Sequence, residues 1–305
     1  MIAPMHDTDG GTTLPAGQGC ALGYDERAYH RGLVWDGGQA CESLSVSRAK
    51  LLVPPSTPAH FAAWRPEHKP VFDFGRAAHE RILGVGAPMV EIPTEDMRTK
   101  TARGLAAQAR LDGAVPLKTA DYRTVVGMAD ALAEHATAAD LLTGRGWPEV
   151  SMWAPDPEVG VWLRGRADYV NLGRGALVDY KTTARPADPD RLGKTVWDYH
   201  YEMQAAWYLD LAAACAIPVD RFVFVFQEKV PPYPVSVVSL DETALDVGRR
   251  ENADAIRLYA ACVETGRWPG YPDRVETVSL PAWAAPAMPS GISADLAEEL
   301  AWLAT

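Results

Sequence analysis

Strand-like alternation of apolar and polar positions is concentrated between Glu149 and Lys181. Glu149–Ala154 and Val161–Asn171 read as strands around the turn cluster Pro155-Asp156-Pro157-Glu158-Val159-Gly160, and Ala176–Lys181 follows across Leu172-Gly173-Arg174-Gly175. The preceding stretch has a helical period. Ser45 to Trp64 predicts two short helices divided at Pro54-Pro55, and Phe74 to Leu83 predicts a third with an Ala77, Ala78, Ile82, Leu83 stripe. Val85 to Pro116 reads as a connecting region with one exposed helix near Arg103 to Asp112. Thr119-Ala120-Asp121 then caps a long helix to Glu134, and a shorter helix ends at Gly144. After Lys181 come two helices (Pro189 to Tyr199, Glu202 to Ala214), two strands (Phe222 to Phe226, Val235 to Val238) and a long helix from Asp241 to Thr265. This order predicts an α/β fold, a single domain with a central mixed sheet flanked by helices. The expected division is a loose N-terminal arm over 1–43, the α/β domain over 44–267, and a Pro- and Ala-rich extension over 268–305.

Composition narrows the function. The chain has 305 residues, 48% hydrophobic and 23% charged, with a net charge of −11 from 29 Lys+Arg against 40 Asp+Glu. That balance argues against a protein that coats nucleic acid electrostatically, so any DNA contact must be local. Residues 161–200 carry Arg164, Arg166, Arg174, Lys181, Arg185, Arg191 and Lys194 against five aspartates, a local excess that is either a substrate face or chance. No apolar run is long enough to cross a bilayer and the N-terminus has no secretory pattern, so a soluble cytoplasmic protein without membrane contact is expected. Cys20, Cys41, Cys215 and Cys262 are too few and scattered for a disulfide scaffold.

The chemistry lies in the second hairpin. A two-residue loop at Gly173-Arg174, with Gly first as a type II′ turn prefers, sets Asp168 opposite Asp179. Opposed residues have Cβ atoms about 5 Å apart, a spacing at which two carboxylates bind a divalent cation and, without one, repel. On this account, removing Asp179 should not lower stability in the absence of metal. Lys181 is two residues on and so shares the face of Asp179. Two carboxylates and a lysine suit phosphodiester hydrolysis: the metal polarises the phosphate and activates a water that the lysine orients. A surface salt bridge is the bland alternative.

The surrounding segments resemble the PD-(D/E)XK nuclease superfamily, and within it the RecE-like and RecB-like exonucleases of phages and prophages. Gly165-Arg166-Ala167-Asp168 resembles its G-R-x-D segment, and Val178-Asp179-Tyr180-Lys181-Thr182-Thr183 its D-x-K-T-T segment. Gln204-Ala205-Ala206-Trp207-Tyr208 is similar to its Q-x-x-x-Y signature, and Phe74-Gly75-Arg76-Ala77-Ala78-His79 to its F-G-x-x-x-H helix. Ser45-Val46-Ser47, Ser56 to Trp64, and Glu149 to Trp153 are similar to further parts of the RecE-type domain.

The resemblance implies that His79, Asp168, Asp179 and the carbonyl of Tyr180 ligate Mg²⁺, with Mn²⁺ also accepted, and that Gln204 and Tyr208 lie over the metal. A lone helical His is otherwise more often a core or surface residue. Glu149 meets Asp168 if the turn centres on Glu158-Val159, and faces solvent if the register slips by one. Arg164 and Arg166 either meet DNA phosphates or solvate an outer face. Cys215 and Cys262 stand 47 positions apart with none between them, so no iron–sulfur cluster is expected. The expected activity is exonucleolytic hydrolysis at double-stranded DNA ends. The resemblance implies 5′→3′ polarity, exposing single strand for an annealing partner protein, and a homo-oligomer would gather the local basic segments. The competing readings are a repair or Cas4-like single-strand nuclease and a non-catalytic DNA-end-binding scaffold.

Overall fold

The computed structural model describes residues 2, 3, 5–7, 13–65 and 70–281. Its elements in chain order begin with β1 (Met5–Asp7), β2 (Thr13–Pro15), β3 (Gly19–Ala21), α1 (Glu26–Arg31), β4 (Leu33–Asp36) and β5 (Gln39–Ser45). Next come α2 (Val46–Ala49), prolonged by a 3-10 turn over Lys50–Leu52, then α3 (Pro58–Ala63), α4 (Pro70–Leu83), β6 (Met89–Ile92), α5 (Lys100–Leu111), β7 (Val115–Lys118), α6 (Thr119–Glu134) and α7 (Ala136–Thr143). The central segment is β8 (Gly146–Pro155), β9 (Trp162–Asn171) and β10 (Ala176–Thr183). It is followed by α8 (Pro189–Asp198), α9 (Tyr201–Ala214), β11 (Arg221–Glu228), β12 (Val235–Ser239) and α10 (Glu242–Thr265).

The main sheet runs β12-β11-β10-β9-β5-β4, with β8 also on β9 and β3 on β8. It is mixed: β10 with β11 and β5 with β9 are parallel, while β8 with β9 and β9 with β10 are antiparallel. Side chains of β10 divide between two cores. Leu177 joins α9 and α10 residues such as Met203, Trp207 and Ile256, whereas Val178 and Tyr180 join α4, α6 and α7 residues such as Ala77, Met128 and Leu142. Both faces of the central strands are therefore covered, which is why β10 and β11 are apolar on successive residues.

One feature of the sheet makes room for a site. Apart from β8, strand β9 pairs with β5 at Trp162–Arg164 and with β10 at Tyr169–Asn171. Between those ladders, Gly165 to Ala167 pair with β8 alone among the described residues, and Asp168 has no rung on any described strand.

Three expectations need correction. Within the arm expected over 1–43, the described residues from 13 onward are not loose, because β3 extends the main sheet beside β8 and β5 runs beside β9. These short strands take their stability from main-chain pairing with distant edges, which local periodicity does not report. The region after α4 also holds a parallel pair, β6 with β7, burying Ile92, Val115 and Leu117. Finally, the β9–β10 register is the expected one, but the connection is a turn over residues 172–175. Its left-handed residue is Gly175 (φ 61°) rather than Gly173, and Asn171 Oδ1 accepts the Arg174 amide at 2.9 Å.

The chain separates into compact units at Met1–Gly270 and Tyr271–Thr305. In the second unit residues 271–281 form no helix or strand, and most of the 268–305 extension lies outside the described residues.

Candidate metal centre and active site

Asp168 sits where β9 and β10 part. The ladder ends at Val178↔Tyr169, and in place of the next rung the Asp168 carboxylate accepts the backbone N–H of Tyr180 at 2.8 Å. His79, on α4, brings Nδ1 to 3.5 Å from the same Oδ2, and its ring meets Tyr180 edge-on at 5.3 Å. Glu149 completes this corner. The β8–β9 register places it opposite Asp168, and its left-handed backbone (φ 51°) interrupts the ladder between Pro148↔Tyr169 and Val150↔Ala167. A non-glycine residue held there stores strain of about 1–3 kcal/mol, a pattern that clusters at functional sites. One ligand atom from each of His79, Glu149 and Asp168 lies within 4.8 Å of the other two.

Electrostatics mark the same corner. Burial raises the Asp168 carboxyl to about 7; His79 opposes that rise and the Asp179 charge adds to it. Burial also raises Glu149, against the pull of Arg166. Crowded, desolvated carboxylates beside an imidazole form a group that could hold a divalent metal ion.

Asp179 and Lys181 adjoin this corner from β10. Lys181 Nζ lies 2.6 Å from Asp179 Oδ2, an ion pair not aligned as a hydrogen bond, and Gln204 Nε2 donates to Oδ1 at 2.5 Å. Burial disfavours the charge on Lys181, but Asp179, Tyr201 and Asp168 outweigh it and hold the ammonium well above its usual value. Asp179 is thus held by an ammonium and an amide, so it does not face Asp168 as a bare carboxylate, although its charge still adds to the rise at Asp168.

Helix α9 is buried nearly all round, from Glu202 to Ala212. It delivers Gln204 to Asp179, while Tyr208, one turn on, packs over Gly165: a Cβ there would lie 2.8 Å from the Tyr208 ring. That contact explains the glycine before Arg166. Tyr180 splits its roles, its amide binding Asp168 and its hydroxyl donating to Gln227 Oε1 at 2.7 Å on the opposite face.

Arg164 and Arg166 turn to protein partners rather than to an outer solvated face. Arg164 is 9% exposed, and its guanidinium donates to the Ser43 carbonyl and, at 3.1 Å, to Ser43 Oγ. Arg166 donates to Ser151 Oγ and to the Tyr24 carbonyl, each at 2.8 Å, and lies 3.9 Å from Glu149. Two of these partners, Ser43 and Tyr24, come from the segment read as a loose arm, so the sequence pattern hid this structural use.

Sequence reasoning also missed Lys50. Its Nζ donates to the Tyr199 carbonyl at 2.8 Å and stands 5.2 Å from the Tyr201 ring, which Lys181 approaches at 5.1 Å. Burial, then Lys181, lowers its amine to about 7. Nothing in the spacing of a lysine on a short helix could have indicated this.

A sheet split beside an acid–imidazole corner, with a paired Asp and Lys on the adjacent strand, defines a metal-site α/β fold of nuclease type. The chain belongs to the family described as PDDEXK-like domain of unknown function (DUF3799), which it matches over residues 57–281. No curated protein matches it. Among solved structures it is similar to a candidate exonuclease from Eubacterium rectale, at 14% identity and a TM-score of 0.53, covering 81% of this chain and 93% of that one. A phage-related exonuclease from Haemophilus somnus (13% identity, TM-score 0.30, 63% and 95% covered) also matches. So does an alkaline exonuclease from Laribacter hongkongensis (14%, 0.25, 65% and 97%), though neither superimposes closely enough to carry an argument. At these identities the likeness concerns the fold.

Proposed function

We propose that the chain is a metal-dependent deoxyribonuclease acting exonucleolytically on linear duplex DNA. The observation that carries this reading is the His79, Glu149 and Asp168 corner set against the Asp179–Lys181 pair on β10. His79, Asp168 and Asp179, with Glu149 and the Tyr180 carbonyl beside them, would hold Mg²⁺ or Mn²⁺. Such an ion supplies Lewis-acid polarisation of the phosphate and a water of lowered pKa. Lys181, held charged by Asp179, orients the attacking water and offsets charge on the phosphorane-like transition state. Gln204 keeps the Asp179 carboxylate in one orientation.

Substrate contact then rests on groups other than Arg164 and Arg166. Tyr199 is half-exposed and stacks on Tyr201 at 5.6 Å beside Lys181, and Trp197 is 58% exposed at the end of α8. Aromatic faces next to cations hold nucleotides without a broadly basic surface. In an acidic chain that economy favours a strand end over a long duplex tract. Degradation 5′→3′ would leave a single strand for an annealing partner.

The test is purified protein with Mg²⁺ or chelator on end-labelled linear duplex, covalently closed duplex, single-stranded DNA and RNA. The reading expects metal-dependent mononucleotide release from linear duplex and an intact closed circle. Cleavage of closed circles, or of RNA alone, would overturn it.

A further inference from the structure

A second constellation lies outside that centre, where α9 begins. His200, in a left-handed conformation (φ 49°), occupies the N-cap position of α9 without its side chain capping the helix. Its Nδ1 instead points at two carboxylates, 3.3 Å from Glu202 Oε1 and 3.5 Å from Glu251 Oε2 of α10. The three ligand atoms lie within 4.8 Å of one another.

Hydrogen bonding does not account for the cluster. An imidazole nitrogen carries at most one hydrogen, yet Nδ1 confronts two acceptors and is aligned as a hydrogen bond with neither. Glu202 is 2% exposed, and neither of its oxygens, nor Glu251 Oε2, has a well-aligned hydrogen-bond donor; its own backbone amide and the Lys50 ammonium offset its charge only in part, and burial still raises its carboxyl. A buried carboxylate without a well-aligned donor is costly, and two side by side more so. A cation removes that cost. Ligand atoms bonded to one tetrahedral ion at about 2.0–2.1 Å stand ~3.3–3.4 Å apart, which the two His200 distances match.

The geometry points to a second metal site at His200, Glu202 and Glu251, taking one divalent ion of the Zn²⁺ or Mn²⁺ class through one imidazole nitrogen and two carboxylates. The mixed N/O set favours these over Ca²⁺. His200 and Glu251 are 16% and 24% exposed at their side chains, which leaves an entry path and room for a water as a further ligand. The ion clamps the start of α9 to α10 and so stiffens the helix that presents Gln204 to Asp179. It is a structural device, and its occupancy is independent of whether the first centre cleaves DNA.

The experiment uses the full-length chain carrying His79→Ala and Asp168→Asn, which disable the first centre. The protein is stripped with chelator, dialysed against Zn²⁺ or Mn²⁺, and assayed for bound metal and melting temperature. About one equivalent should remain bound and raise the melting temperature, and adding either His200→Gln or Glu251→Gln should abolish both effects. If His200→Gln does not fold by circular dichroism, Glu251→Gln, at the more exposed ligand, carries the comparison. No retained metal in the doubly substituted protein would overturn the site and leave a carboxyl pair sharing a proton. Undiminished binding after Glu251→Gln would overturn it as well.

Discussion

The Asp168 carboxylate takes the place of a ladder carbonyl, accepting the Tyr180 amide at the point where β10 leaves β9. One side chain thereby satisfies the backbone of the strand that carries Asp179 and Lys181 and turns its remaining lone pairs toward His79 and Glu149. A split in the sheet, a buried acid and an oriented β10 are a single feature.

That arrangement sets a pH dependence. The Asp168 carboxyl is raised from 3.8 to about 7 in the folded protein. Its contribution to stability is therefore complete below about pH 4 and is lost as pH rises through about 7. Without metal, the melting temperature should fall between pH 5 and 8 relative to an Asp168→Asn variant, by about 2–4 °C per kcal/mol in a domain of this size. Mg²⁺ at pH 8 should remove the deficit in the wild type only. Parallel melting curves for the two proteins across this range would contradict the account.

Asp179→Ala and Lys181→Ala should each abolish metal-dependent DNA degradation, but their stabilities should differ from the repulsion picture. Asp179 is 2% exposed and bound by both Lys181 and Gln204, so its removal strands a largely buried ammonium. Lys181 retains 22% side-chain exposure, which discounts the cost of a broken buried pair to ~1–3 kcal/mol. Chemical denaturation without metal measures it, and an unchanged or higher midpoint for Asp179→Ala would restore the repulsion picture.

His79→Ala should lower apparent Mg²⁺ affinity by roughly 10–100-fold, the size of effect seen when ligand geometry is disturbed, with little change in melting temperature. The side chain is 29% exposed, too open for a packing role. Activity titrated against Mg²⁺ reads the shift; a large stability loss at unchanged metal dependence would make His79 a core residue.

Arg164→Ala should cost about 2–4 kcal/mol, because it leaves the Ser43 carbonyl and hydroxyl without a buried donor. The salt dependence of DNA binding should not change, since no phosphate contact is lost. A shallower salt slope with normal stability would return Arg164 to the DNA interface.

Tyr199→Ala should weaken binding of DNA ends by about 1–3 kcal/mol, the worth of one stacked base, while leaving the fold intact. Fluorescence anisotropy with Ca²⁺ replacing Mg²⁺ measures it, and unchanged affinity would remove the Tyr199–Tyr201 stack from the substrate path.

The α/β class, most central elements from β8 to α10, and the register that brings Asp168 toward Asp179 were legible along the chain, whereas the register of Glu149 against Asp168 was one of two that the sequence left open. They depend on local quantities: a two-residue or helical period, and a turn whose position dictates which residues are opposed. Residue types at Asp179, Lys181 and Gln204 carry their chemistry wherever the fold places them.

What the sequence could not contain is which distant edge each short segment would find. Whether Arg164 met phosphate or Ser43 depended on β5 docking against β9. Whether Asp179 was a bare anion or half of an ion pair depended on the rotamer that Lys181 adopts under α9. Lys50 and the His200, Glu202 and Glu251 cluster arise where elements far apart in sequence pack together, and packing of that kind is chosen by the whole core. Local pattern determines the elements and their facing residues, while the energetic state of each charged group follows from long-range burial, because desolvation and partner distance exist only once the layers have closed.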